Sequence, residues 1–109
     1  MQDLTKKHCV PCEGGTKPLE KEEIAKYLTL LKTPWTVADN KEIQRTFKFK
    51  DFVKAIDFVN KIAKIAESEG HHPDITINYN KVKIVLSTHA IGGLSTNDFI
   101  LASKIEKIK

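Results

Sequence analysis

Apolar positions along this chain switch repeatedly between the period of a helix and the period of a strand. From Leu19 to about Leu31, Ile24, Leu28 and Leu31 recur at helical spacing with Tyr27 alongside, behind a Glu-rich first turn that suits the positive end of a helix. Thr33-Pro34 stops this helix, because proline disfavours helical geometry in the residue before it. Trp35 to Ala38 then reads as a short strand and Asp39-Asn40 as a turn. From Ile43 the chain alternates, with Ile43, Arg45, Phe47 and Phe49 on one face and Gln44, Thr46 and Lys48 on the other. That pattern predicts a half-buried antiparallel strand.

The longest element runs from Asp51 to Glu69. Phe52, Ile56, Val59, Ala63 and Ala66 form its expected apolar stripe, flanked by Ala55, Ile62 and Ile65. Asp51 suits the N-cap, and Gly70 suits the left-handed closing position. After His71-His72-Pro73-Asp74 comes a hairpin: Ile75, Ile77 and Tyr79 share a face, the turn is expected at Asn80-Lys81, and Val82, Ile84 and Leu86 continue the alternation. The strand ends near Thr88-His89. A loop from Ala90 to Leu94 leads to Ser95-Thr-Asn-Asp98, which reads as a capping box opening a last helix to about Lys107.

The order helix, two strands, helix, two strands, helix predicts an α+β fold: a four-stranded antiparallel sheet with three helices packed on one face. The other face and the edges of such a sheet stay open, which invites pairing between copies, so a homodimer or homotetramer is expected. At 109 residues the chain fits a single domain, with residues 1–18 as an irregular N-terminal lead broken by Pro11, Gly14, Gly15 and Pro18.

Composition narrows the classes. Apolar residues at 40% and charged residues at 29% describe a globular chain. No apolar run approaches the length of a membrane span, and Met1 to His8 lacks the apolar core of a secretory signal, so a cytoplasmic location and no membrane partner are expected. The net charge of +4 rests on scattered lysines, with Arg45 the only arginine. Direct nucleic-acid readers lean on arginine forks, so the charge argues against that partner. Cys9 and Cys12, beside His8, have the spacing of half a zinc site or a redox pair; without a second such pair, reduced thiols in a flexible lead are the plainer reading.

Chemistry concentrates at one end of the sheet. His71 and His72 precede the third strand and His89 ends the fourth. In an antiparallel hairpin the start of one strand lies beside the end of the other, so these three imidazoles are expected to converge. Pro73 holds His72 extended, so His71 and His72 point to opposite sides, one to a pocket and one to its rim. Imidazoles suit general acid–base work near neutral pH, although histidines at helix ends also serve as caps. Asp98 could complete the capping box, and Glu67, one turn before His71, could orient that ring. Trp35 suits either a binding face or the core.

The run Glu67-Ser-Glu-Gly-His-His-Pro-Asp74, then Val82-Lys-Ile-Val-Leu-Ser-Thr-His89, then Gly93-Leu-Ser-Thr-Asn-Asp98, resembles the pterin-4a-carbinolamine dehydratases. Trp35 and the stretch Phe47-Lys-Phe-Lys-Asp-Phe52 extend the likeness, which covers about residues 19 to 108. The resemblance implies a cofactor-free and metal-free dehydration of the 4a-hydroxytetrahydropterin that aromatic amino-acid hydroxylases leave behind. It implies His71, His72 and His89 as catalytic residues, with Asp98, Trp35 and Glu67 binding substrate, and a hydroxylase as functional partner. Some animal members of that family also bind a homeodomain transcription factor, so a non-catalytic binding or dimerisation module is the alternative.

Overall fold

The computed structural model describes residues 4–6 and 17–108. Cys9, Cys12 and His8 lie outside them. The elements in chain order are a 3₁₀ turn (Leu4–Lys6), α1 (Lys21–Leu28), β1 (Thr36–Ala38), β2 (Glu42–Lys48), α2 (Phe52–Glu69), β3 (Asp74–Asn78), β4 (Lys81–Leu86), a 3₁₀ turn (His89–Ile91) and α3 (Thr96–Glu106). The four strands form one antiparallel sheet in the order β1-β2-β4-β3. The α+β architecture and element order expected from the pattern are those observed.

The alternation decides which face of the sheet is buried. Ile43, Val82, Ile84 and Leu86 are sealed from solvent beneath the helices. Lys48, Lys81 and Lys83 are exposed on the alternate positions. Phe47 and Phe49 carry the buried face outward to meet Phe58 of α2, each with ring centroids 4.8 Å apart. The most enclosed element is α3, in which Asn97 through Ser103 and Ile105 are all buried. It packs against α1, α2 and the Leu4–Lys6 turn, with Phe99 stacked on Tyr27 at 5.3 Å. A helix buried on most sides is apolar on most sides, so its pattern carries little helical periodicity.

Several boundaries differ from the sequence expectation, among them the end of β4, which stops at Leu86 so that His89 opens a 3₁₀ turn instead of ending the strand. The N–H of Leu19 is used by the Leu94 carbonyl at 2.8 Å, so α1 starts only at Lys21, behind Glu20 as N-cap. At its other end the N–H groups of Thr29, Leu30 and Leu31 bond three residues back instead of four, and the helix tightens out before Leu31. The hairpin turn is Tyr79-Asn80, not Asn80-Lys81: Asn78 pairs with Lys81, and Tyr79 takes a positive φ of 54°. Asn80 clamps this turn to the end of β2, accepting from the N–H of Phe49 at 2.8 Å and donating to its carbonyl at 2.9 Å.

The apolar stripe of α2 is also rotated. The buried residues are Ala55, Phe58, Ile62 and Ala66, whereas Phe52 is 49% and Val53 65% exposed. Two apolar arcs share this helix, and the one carrying Phe58 wins because that ring fills the space between Phe47 and Phe49. The second arc, with Phe52, Ile56, Val59 and Ala63, faces away from the core or along its rim.

Among the described residues, no helix is long and apolar enough to cross a membrane.

Candidate active site at the end of the hairpin

The site begins with the way α2 stops. Gly70 takes the left-handed conformation (φ 66°, ψ 26°), a region that costs a residue with a Cβ roughly 1–2 kcal/mol. Its N–H donates to the Glu67 carbonyl at 3.3 Å, and the next N–H, of His71, reaches the Ala66 carbonyl at 3.2 Å. These two bonds are those of a Schellman motif, which satisfies helix carbonyls and turns the chain sharply. His71 is thereby pinned to the helix end by its own backbone. A salt bridge between Glu69 and Lys104 at 2.5 Å, with both side chains largely buried, holds the end of α2 against α3.

The second wall comes from β4. Asp74 pairs with Val85, and continuing that register places His71 across from Thr88. Thr88 shares the inward parity of Val82, Ile84 and Leu86, and it is only 5% exposed. Beyond it the chain folds into the His89–Ile91 turn, closed by Gly92 at φ 67°. The chain then returns so that Thr88 and Gly93 form an antiparallel bridge, with Thr88 N–H to Gly93 O at 2.8 Å. Only glycine fits at 93, since an added Cβ would lie 2.8 Å from Pro18 Cβ. This tight return delivers Ser95 to the N-cap of α3 and Asp98 to its first turn.

Asp98 is completely buried. Its Oδ1 lies 2.6 Å from Nε2 of His71. Its Oδ2 accepts from the Thr88 hydroxyl at 2.9 Å and from the Ser95 N–H at 3.0 Å. The Thr88 and Ser95 hydroxyls are themselves 2.7 Å apart. Asp98 therefore closes the cap of α3 with one oxygen and holds a histidine with the other. The capping box expected at Ser95 to Asp98 is realised, and the same carboxylate also engages His71.

His72 points away from this pair, as the extended backbone before Pro73 requires. Its Nε2 sits 2.8 Å from Oε1 of Glu67. Both side chains are mostly exposed, at 61% and 79%, so the contact is a solvated one worth well under ~1 kcal/mol. His89 is exposed and follows Thr88 directly in the chain, which sets it at the same end of the sheet as His71. Trp35 stands apart from this group. Its indole is buried, and Nε1 donates to Oε1 of Glu106 at 2.9 Å. Glu106 lies eight residues along α3 from Asp98, about 12 Å at the helical rise. The same carboxylate receives the N–H groups of Lys32 and Thr33, both at 3.0 Å, and the Thr33 hydroxyl. Thr88 was not singled out from the sequence. The signal was a polar residue continuing the inward-facing parity of β4.

What results is an α+β sheet whose hairpin end carries His71, His72 and His89, with His71 engaged by the buried Asp98, and this end is the candidate site. Residues 17–108 match the family described as pterin 4 alpha carbinolamine dehydratase, and the chain belongs to that family. A relative from Alkaliphilus metalliredigens is 46% identical over 98% of this chain and 96% of its own length. One from Rickettsia canadensis is 51% identical over 97% of each chain. Both are provisionally named pterin-4-alpha-carbinolamine dehydratases. A crystal structure from Brucella melitensis, described as a transcriptional coactivator/pterin dehydratase, superposes with a TM-score of 0.77 at 35% identity. That match covers 83% of this chain and 96% of the other.

Proposed function

We propose that this chain catalyses loss of water from a 4a-hydroxytetrahydropterin, giving the quinonoid dihydropterin. The observation that carries the reading is the bond from His71 to the buried Asp98, at the sheet end that also holds His72 and His89. In the reaction the carbon–oxygen bond at the 4a carbon breaks and the hydroxyl leaves as water after taking up a proton. A carbon–nitrogen double bond forms as the neighbouring ring nitrogen gives up its proton. One proton is added and one removed, with no change in oxidation state, so one acid and one base suffice.

His71 and His89 supply the acid and base functions, with His72 orienting the pterin ring. Asp98 orients His71, and Glu67 steadies His72 at the rim. A substrate-binding contribution from Trp35 would be indirect, through the segment that its bond to Glu106 anchors.

The exposed apolar arc of α2, the edge strand β3 and the neighbouring turn residue Tyr79, 63% exposed, support assembly into a homodimer or homotetramer. An aromatic amino-acid hydroxylase would supply the substrate. A second reading, a binding or regulatory module, is favoured by the coactivator role in the description of the Brucella neighbour.

Substitution separates the two readings. His71→Ala and His89→Ala, each checked by circular dichroism, should lose dehydration of freshly generated substrate while keeping fold and oligomeric state. Full activity in both folded variants would overturn the histidine assignment.

A further inference from the structure

Asp98 is held from behind. The Thr88 hydroxyl has a single proton, and it is used on Asp98 Oδ2. In the 2.7 Å contact between the two hydroxyls, Ser95 must therefore be the donor and Thr88 the acceptor. The order of donation runs from the Ser95 hydroxyl to the Thr88 hydroxyl to Asp98. The Ser95 N–H gives Oδ2 its second donor. With Oδ2 occupied in this way, Oδ1 is the oxygen left for His71, and the carboxylate, itself completely buried, cannot rotate without abandoning two bonds.

An acceptor-only carboxylate oxygen 2.6 Å from Nε2 requires the proton on Nε2. In the neutral ring the lone pair then resides on Nδ1. We propose that Thr88, supported by Ser95, is a positioning residue for the reaction proposed above. It locks Asp98 and so fixes His71 in the Nε2–H form, with Nδ1 as the nitrogen that exchanges a proton with the pterin. When His71 acts as base, Nδ1 takes the proton from the ring nitrogen. The resulting imidazolium keeps its Nε2–H on Asp98. When it acts as acid, Nδ1–H gives its proton to the departing hydroxyl and the same neutral form is restored.

The inference rests on the dehydratase reading for its kinetic consequence, but not for its chemical one. Thr88→Val keeps the shape and removes the hydroxyl, whereas Thr88→Ser keeps the hydroxyl. Steady-state kinetics should show kcat falling roughly 10- to 100-fold in Thr88→Val with KM little changed, the equivalent of one hydrogen bond to a charged group. Thr88→Ser should recover most of that loss. Nitrogen-15 NMR of the histidine rings, at a pH where His71 is neutral, should show Nε2–H with an unprotonated Nδ1 in the wild type. In Thr88→Val, where Asp98 loses one of its two holds on Oδ2 and can turn away from His71, it should show a mixture of the two forms. A wild-type signal with the proton on Nδ1 would overturn the proposal, as would a folded Thr88→Val of undiminished kcat in an active enzyme. If the wild type proves inactive, the dehydratase reading fails alone, and the ring signal of the wild type still decides the tautomer. That signal also decides it if Thr88→Val does not fold.

Discussion

Replacing Asp98 by asparagine separates what this residue does for the fold from what it does for the site. The side chain keeps its size in a fully buried position, so no cavity opens. Its amide oxygen can still accept from the Thr88 hydroxyl and the Ser95 N–H, which leaves the capping arrangement of α3 largely in place. The NH₂ group must then face His71, where it can only donate. Nε2 has to become the acceptor, and the proton moves to Nδ1, the nitrogen assigned to the substrate. The structural loss is the charged character of these bonds, about 1–2 kcal/mol, or roughly 4–16 °C in Tm for a domain of this size. The functional loss is larger. A general acid–base group in the wrong protonation form forfeits most of its contribution, so kcat should fall by roughly 10²–10³. Thermal melts would establish folding, and the dehydration rate of freshly generated substrate, followed by ultraviolet absorbance, would give kcat. A folded Asp98→Asn retaining kcat within about threefold, roughly half of a tenfold step in barrier height, would refute the coupling of Asp98 to His71.

Two further substitutions test how the fold presents the site. Gly70→Ala meets no steric obstacle, since nothing lies within 4 Å of the added Cβ; its cost is the left-handed backbone alone, about 1 kcal/mol in a chemical melt. Gly70→Asn, which tolerates that region better, should cost less, and equal costs would contradict the conformational argument. Glu106→Ala removes the acceptor shared by Lys32, Thr33 and Trp35. It should destabilise by about 2–4 kcal/mol, lowering Tm by at least about 8 °C; a shift within experimental error would show that these bonds are replaced by water at no cost.

Most of the fold was legible in the chain because period and burial agree in the sheet. Ile43 and Phe47, and then Val82, Ile84 and Leu86, mark the covered face by simple alternation, and the two hairpins follow from them. The helices were less transparent. Periodicity in α2 admits two apolar arcs, and only the position of Phe58 against Phe47 and Phe49 decides between them, a contact between elements that no local pattern contains. The helix α1 is shorter than its pattern because Leu19 is claimed by Leu94, a partner 75 positions away, and because its last turn tightens before Leu31. At the site, placing His71, His72 and His89 at one end of the sheet required only the antiparallel rule and the hairpin. The double use of Asp98 did not follow from sequence: the capping box is legible, but only the structure shows the two carboxylate oxygens facing different neighbours. Thr88 does not stand out in the sequence, because a threonine at a strand end is ordinary. Its inward parity becomes informative only once Asp98 is known to lie beneath it.

The most direct test of the account is the rate at which freshly generated 4a-hydroxytetrahydropterin loses water in the presence of the purified full-length chain, compared with buffer alone. Acceleration proportional to protein concentration, abolished in a folded His89→Ala, is the expected result. A folded wild-type protein that leaves the buffer rate unchanged would contradict the dehydratase reading and favour a binding role for the same surface.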